Sequence, residues 1–132
     1  MRLTVDTNVL IRAVVGDDTA QARAAASLLT DAELVAVTLP SLCEFVWVLL
    51  SVYKLRRSDA AAAIRALLAA ANVVTNKPAV AAGLAMLEAG GDFADGVIAY
   101  EGRWLGADTF VSFDKKAVAL LSANGMAAQL CK

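Results

Sequence analysis

Short apolar runs that end in a polar or acidic residue, each followed by a capped helical segment, predict an α/β fold: a three-layer α/β/α sandwich around a central, mainly parallel sheet. Strand-like and helix-like segments alternate along all 132 residues, and no linker, repeat or low-complexity stretch interrupts them, so a single domain over residues 1–132 is expected. Apolar residues make up 59% of the chain and aromatics only 6%, against a typical apolar share of about 45–50%. Ala, Val and Leu supply that surplus, which suits buried helices and an apolar interface.

The elements follow in order. Arg2 to Val5 alternates around branched residues and stops at Asp6, after which Thr7, Asn8 and the apolar Val9, Leu10 and Ile11 read as cap and helix. Asp17, Asp18 and Thr19 open an Ala-rich helix to Leu29, with acids where the helix dipole favours them. Leu34 to Thr38 is a short buried strand, and Pro40 starts a helix to about Lys54. Ser58 and Asp59 are expected to cap a helix ending near Asn72, followed by a strand over Val73, Val74 and Thr75. Pro78 to Ala89 reads as a helix stopped by Gly90 and Gly91, and Phe93 to Trp104 as another. Thr109 to Phe113 is a strand ending at Asp114, Lys115 to Ala123 a helix, and Ala127 to Leu130 a last strand.

Composition excludes several functions. The charge-free run Phe45 to Tyr53 near the middle of the chain is far shorter than the roughly 20 residues that cross a bilayer. An acid and polar residues arrive too early for a signal peptide, so the expected location is the cytoplasm, away from membranes. Cys43 and Cys131 lie far apart, with no metal or redox spacing, and are read as two ordinary buried thiols. The chain has no histidine, which removes His-dependent triads, His-based zinc sites and paired-imidazole nuclease chemistry. The net charge of −1 leaves no global basic field for nucleic acid, so any attraction to RNA must be local or metal-mediated.

Carboxylates are therefore the chemical resource. Ligands of open parallel sheets bind beyond the strands' carboxyl ends, where Asp6 and Asp114 are expected. Glu44 stands in a helix otherwise apolar on every face, which predicts a buried carboxylate with a cation beside it. Asp92 and Asp95 share a helix face, and the apolar Val97, Ile98 and Ala99 put Asp95 deeper than a purely solvent-facing acid. Singly, each has an ordinary role: Asp6, Asp92 and Asp114 as helix caps, Glu44 as an arginine's partner. Gathered at one sheet edge, they would repel one another unless a hard cation neutralised them, and oxygen-only ligation points to Mg²⁺ or Mn²⁺. Such an ion activates water and stabilises a leaving oxygen, the logic of phosphodiester hydrolysis.

The run Asp6-Thr7-Asn8-Val9-Leu10, Glu44 in the third helix, Asp92-Phe93-Ala94-Asp95 and Ser112-Phe113-Asp114 together resemble the PIN-domain family over essentially the whole chain. The nearest subgroup by resemblance is the VapC-type toxins of toxin–antitoxin pairs. The resemblance makes Asp6, Glu44, Asp95 and Asp114 the catalytic, metal-binding acids, with Asp92 a less regular further ligand and Thr7, Asn8 and Ser112 as polar support. It implies an Mg²⁺-dependent endoribonuclease, with Mn²⁺ as a possible substitute, that forms twofold dimers and is silenced by an antitoxin protein lying across the acidic groove. Two departures are Ser112, where Thr is commoner, and Gly96, where a larger small residue is common. Lys115 and Lys116, directly after Asp114, are the foremost candidates for contacting RNA phosphates, while Trp47, Tyr53 and Trp104 are candidate anchors for a partner or members of the core.

Two other readings are open to the same residues. One is a non-catalytic PIN-like module that binds RNA or protein and uses its acids structurally. The other is a phosphoacceptor receiver domain, which calls for an acid pair after the first strand and an aspartate ending a central one. Here the first strand offers Asp6 alone, and no central strand near Val74 ends in aspartate.

Overall fold

Branched residues at Val35, Val37 and Val73 are almost fully buried, and they give the first half of the chain its sheet. A computed structural model describes residues 1–132, which group into two compact units, Met1–Asn76 and Lys77–Lys132. In the first unit, strands β1 (Arg2–Thr4), β2 (Leu34–Ala36) and β3 (Val73–Val74) run parallel in the order β1-β2-β3. Thr4 pairs with Ala36, and Ala36 with Val74. Helices α1 (Thr7–Val15) and α2 (Thr19–Asp31) make the first crossover, and α3 (Leu39–Ser51) and α4 (Arg57–Ala69) the second. Parallel neighbours need such crossovers because no tight turn can join them. Phe45, Leu42, Leu49 and Ile64 of α3 and α4 are sealed from solvent and form much of this unit's core. The Asn72 side chain donates to the carbonyls of Leu29 (2.7 Å) and Ala32 (3.0 Å), satisfying acceptors that the end of α2 leaves open.

The second unit contains α5 (Lys77–Glu88), α6 (Phe93–Trp104), β4 (Phe110–Ser112), α7 (Lys115–Ala123) and β5 (Ala128–Leu130). β4 and β5 form a two-stranded parallel ladder, with Phe110 opposite Ala128 and Ser112 opposite Leu130. Met86, Ala99 and Leu121 make a buried cluster against which Phe110, Leu120, Met126 and Ala128 pack. α5 and α6 approach so closely that a Cβ on Gly96 would overlap the Ala82 carbonyl, and one on Gly83 would press into the Phe93 ring. The departure at Gly96 thus has a packing cause: the backbone of α5 occupies the space a side chain would need.

The α/β class and the parallel strand direction are as the sequence predicts, while the strands hydrogen-bond as ladders of three and two within their units. The boundaries of α6 and α7 coincide with the predicted ones. α3 ends earlier than expected, at Ser51, because Lys54 turns into the left-handed region (φ 57°) and the Leu55 N–H reaches back to the Leu49 carbonyl at 3.0 Å. α4 begins before Ser58: its N-cap is Arg56, which makes no side-chain cap, and Asp59 lies in the first turn, ion-paired to Arg56 at 3.2 Å. Cys43 and Cys131 form no disulfide and are half-buried rather than sealed. No helix is long and apolar enough to cross a membrane.

Candidate active site

Register places the first unit's polar residues. Two residues beyond the paired row Thr4–Ala36–Val74 stand Asp6, Thr38 and Asn76, one at the carboxyl end of each strand. Asp6 is the N-cap of α1, its Oδ1 accepting from the Thr7 backbone N–H at 2.7 Å. Thr38 caps α3, accepting from the Ser41 N–H at 3.4 Å while its hydroxyl donates to Ser41 Oγ. Thr7 is buried, and Asn8 opens onto a groove between α1 and α2 lined by Val9, Arg12, Gln21 and Leu28. Sequence reasoning passed over Thr38 and Asn76, although a polar residue closing each apolar run was the available signal.

Glu44 corrects the prediction of a buried carboxylate. It lies about one and a half turns into α3, is exposed, and makes no ion pair. Only one face of the helix is buried: Leu42, Phe45, Val46 and Leu49 point inward, while Trp47 shares the solvent side with Glu44. An exposed tryptophan made an outer face read as an inner one. Water solvates Glu44 there, so no cation is required beside it.

In the second unit the charges of the acids act on one another. Asp92 is the N-cap of α6, its Oδ1 accepting from the Ala94 N–H at 3.0 Å. Asp114 is the N-cap of α7, its Oδ1 accepting from the Ala117 N–H at 3.1 Å. The Ser112 hydroxyl oxygen accepts from the Asp114 N–H at 3.0 Å, which fixes the start of the cap. Asp95, in the first turn of α6, is half-buried, and its carboxyl is pushed above the usual range first by burial, then by the charges of Asp92 and Asp114. Three carboxylates of one unit therefore share a field, and ionising Asp95 costs energy that a cation would return. In neither unit alone do three such side chains converge tightly enough to enclose a metal ion.

Each capping aspartate uses only Oδ1 for its helix, so a cap and a ligand are not exclusive roles: Oδ2 remains to meet something else. The donor chemistry fits a hard cation, since every candidate atom is an oxygen. Mg²⁺ commonly takes one or two carboxylates and keeps several waters, so it does not need a closed protein cage. Lys115 and Lys116 are exposed at the first two positions of α7, where the helix dipole disfavours cations. Of the three candidate anchors, Trp47 and Trp104 are exposed, whereas Tyr53 is half-buried and donates to Asp17 at 3.0 Å.

No curated protein matches the chain. The family model of the PIN domain matches residues 3–120, which reaches into both compact units and takes in all the acids described above. Nine-tenths of the sequence thus carries one family's pattern, and the chain belongs to the PIN-domain family.

Proposed function

We propose that this PIN domain is an Mg²⁺-dependent endoribonuclease of the cytoplasm, the toxin of a type II toxin–antitoxin pair similar to VapC proteins. The PIN domain is a nuclease fold; the finer reading rests on the acids. Asp6, Glu44, Asp95 and Asp114 are proposed to hold the cation, with Asp92 beside them and Thr7, Asn8 and Ser112 in support. The observation that carries this is the spare oxygen of each capping aspartate, together with the raised carboxyl of Asp95. The cation, Mg²⁺ or Mn²⁺, supplies a bound water of lowered pKa and positive charge for the phosphate.

The chain's own residues do the rest. The caps at Asp6 and Asp114 fix those carboxylates to rigid helix starts, so little freedom is lost when a ligand arrives. Ser112 holds the backbone of Asp114, and Lys115 and Lys116 meet phosphate oxygens close to that acid. As a toxin, the chain is proposed to form a homodimer and to be blocked by a cognate antitoxin that sends a basic side chain to the acids. Growth arrest on expression of the chain alone, relieved by Asp6→Asn, is the outcome expected of that role.

The direct test is incubation of cellular RNA with purified chain in Mg²⁺, in EDTA, and as Asp6→Asn. Cutting that needs the metal and disappears in the variant supports the nuclease. A folded wild type that cuts no RNA pool in Mg²⁺ or Mn²⁺ overturns it and leaves a non-catalytic binding module.

A further inference from the structure

Asp6 and Thr38 end neighbouring strands. Both stand two residues beyond the Thr4–Ala36 pair and keep extended backbones, with φ −77° and ψ 160° at Asp6 and φ −84° and ψ 156° at Thr38. Side chains an even number of residues apart share a strand's face, and parallel strands run about 4.8 Å apart. Thr38 is therefore exposed one strand spacing from an acid proposed to hold the cation, on the same side of the sheet. The roles assigned above leave it no part in the reaction.

The hydrogen bonds already made by Thr38 decide what it can still bind. A threonine hydroxyl has one hydrogen to donate and two lone pairs that accept. Thr38 donates its hydrogen to Ser41 Oγ at 3.1 Å and accepts from the Ser41 backbone N–H at 3.4 Å. One lone pair is left, so the residue meets a ligand as an acceptor. A phosphate oxygen only accepts, and it gains nothing there. Asp6, as a carboxylate, also presents only acceptors, and Asn76 completes the row, which contains an acid, a hydroxyl and an amide but no cation. Such an edge suits a neutral donor. On an RNA strand that donor is the ribose 2′-hydroxyl, the group that distinguishes RNA from DNA.

We infer that Thr38 is a specificity-determining residue: its hydroxyl oxygen accepts a hydrogen bond from a ribose 2′-hydroxyl beside the cut and so favours RNA over DNA of the same sequence. This rests on the nuclease reading above, and it assigns Thr38 to positioning rather than to the chemistry. Water on a bound cation is the other neutral donor that the same lone pair could take, and the experiment separates the two.

The full chain is given an RNA oligonucleotide whose cut is mapped, and the same strand with single 2′-deoxy residues on either side of the cut. One 2′-deoxy position is expected to lower wild-type kcat/KM roughly three- to tenfold, the scale of one hydrogen bond. In Thr38→Val, close in shape but unable to accept, that ratio should fall to about one, and Thr38→Ser should restore it. Both rates come from one preparation, so any unfolded fraction left by the lost helix cap cancels in the ratio. An unchanged ratio in Thr38→Val overturns the sugar contact; a raised Mg²⁺ requirement then assigns the lone pair to metal-bound water, and an unchanged one assigns Thr38 to capping alone. Equal cleavage of all strands by wild type overturns the inference and leaves the nuclease intact. A wild type that cuts nothing overturns the nuclease. Wherever a protein cuts neither strand, the ratio is read from fluorescence-anisotropy binding of labelled RNA and its all-deoxy counterpart: a preference lost in Thr38→Val supports the contact, and a preference retained or absent from the start sinks it.

Discussion

The two units handle negative charge differently. In Met1–Asn76, Asp6 is absorbed into a helix cap and Glu44 stands in solvent about one and a half turns into α3. In Lys77–Lys132, Asp92, Asp95 and Asp114 are near enough that their mutual field, added to burial, raises the Asp95 carboxyl. The first arrangement is stable as it stands. In the second, burial and the neighbouring charges make ionisation of Asp95 costly, a cost that a cation would offset. The difference teaches that acids at similar helix starts can stand apart in one place and act on one another in another.

The largest test asks whether both units contribute to one reaction. Asp6→Asn and Asp114→Asn are each expected to lower RNA cleavage by at least about a hundredfold, the scale seen when one group facing developing charge is removed. Initial rates on labelled RNA measure it. Full activity in Asp6→Asn, with loss in Asp114→Asn, would break the proposal by confining the chemistry to the second unit.

Stability offers a second contrast, because the second unit's helices meet through glycine. Gly96→Ala puts a methyl group into the Ala82 carbonyl of α5, and overpacking of this kind costs about 1–3 kcal/mol. The same change at Gly102, where an added Cβ meets nothing within 4 Å, should be neutral or mildly stabilising in helix α6. Urea unfolding of both variants decides it; equal midpoints would show that α5 and α6 separate at little cost.

Much of this architecture was legible in the sequence. Asp92 and Asp114 mark the starts of α6 and α7, and the strand segments were recognisable from branched residues, because capping and alternation are local signals. Glu44 was misread since hydrophobicity along α3 does not say which apolar residue faces out, and Trp47 does. Thr38 and Asn76 were missed because their alignment with Asp6 comes from strand register, a pairing across more than thirty residues that no local pattern specifies. The proximity of Asp95 to Asp114, on helices separated by β4, was similarly expected from fold class and given substance only by the packed unit.

The cost of ionising Asp95 gives a moderate, pH-dependent effect. Because the Asp95 carboxyl is raised in the folded chain, its ionisation opposes folding. That penalty is absent below the ordinary carboxylate value near pH 4 and grows as pH rises through the raised value. Asp95→Asn should therefore unfold at a higher temperature than wild type at neutral pH without metal, with the gap closing in acid. Mg²⁺ should raise the midpoint of wild type and do little for the variant. Identical melting of the two chains across pH would show that the acids of this unit do not burden it.

The smallest effect sharpens the contrast from the other side, since the first unit also contains a charged cluster, and that one is satisfied. Asp17 accepts from the Tyr53 hydroxyl at 3.0 Å and from Arg12 at 2.9 Å, and the Tyr53 bond followed by Arg12 holds its carboxyl below the ordinary range. A lowered carboxyl stabilises the fold above the ordinary value near pH 4 and loses that contribution as pH falls through the lowered one. The cluster is exposed, so solvent screening keeps its contribution small. Tyr53→Phe should shift the urea midpoint slightly downward at pH 7 and converge with wild type near pH 2. A constant offset at both pH values would assign the loss to packing of the ring near the end of α3, and the two units would then differ in their acids but not in how they use them.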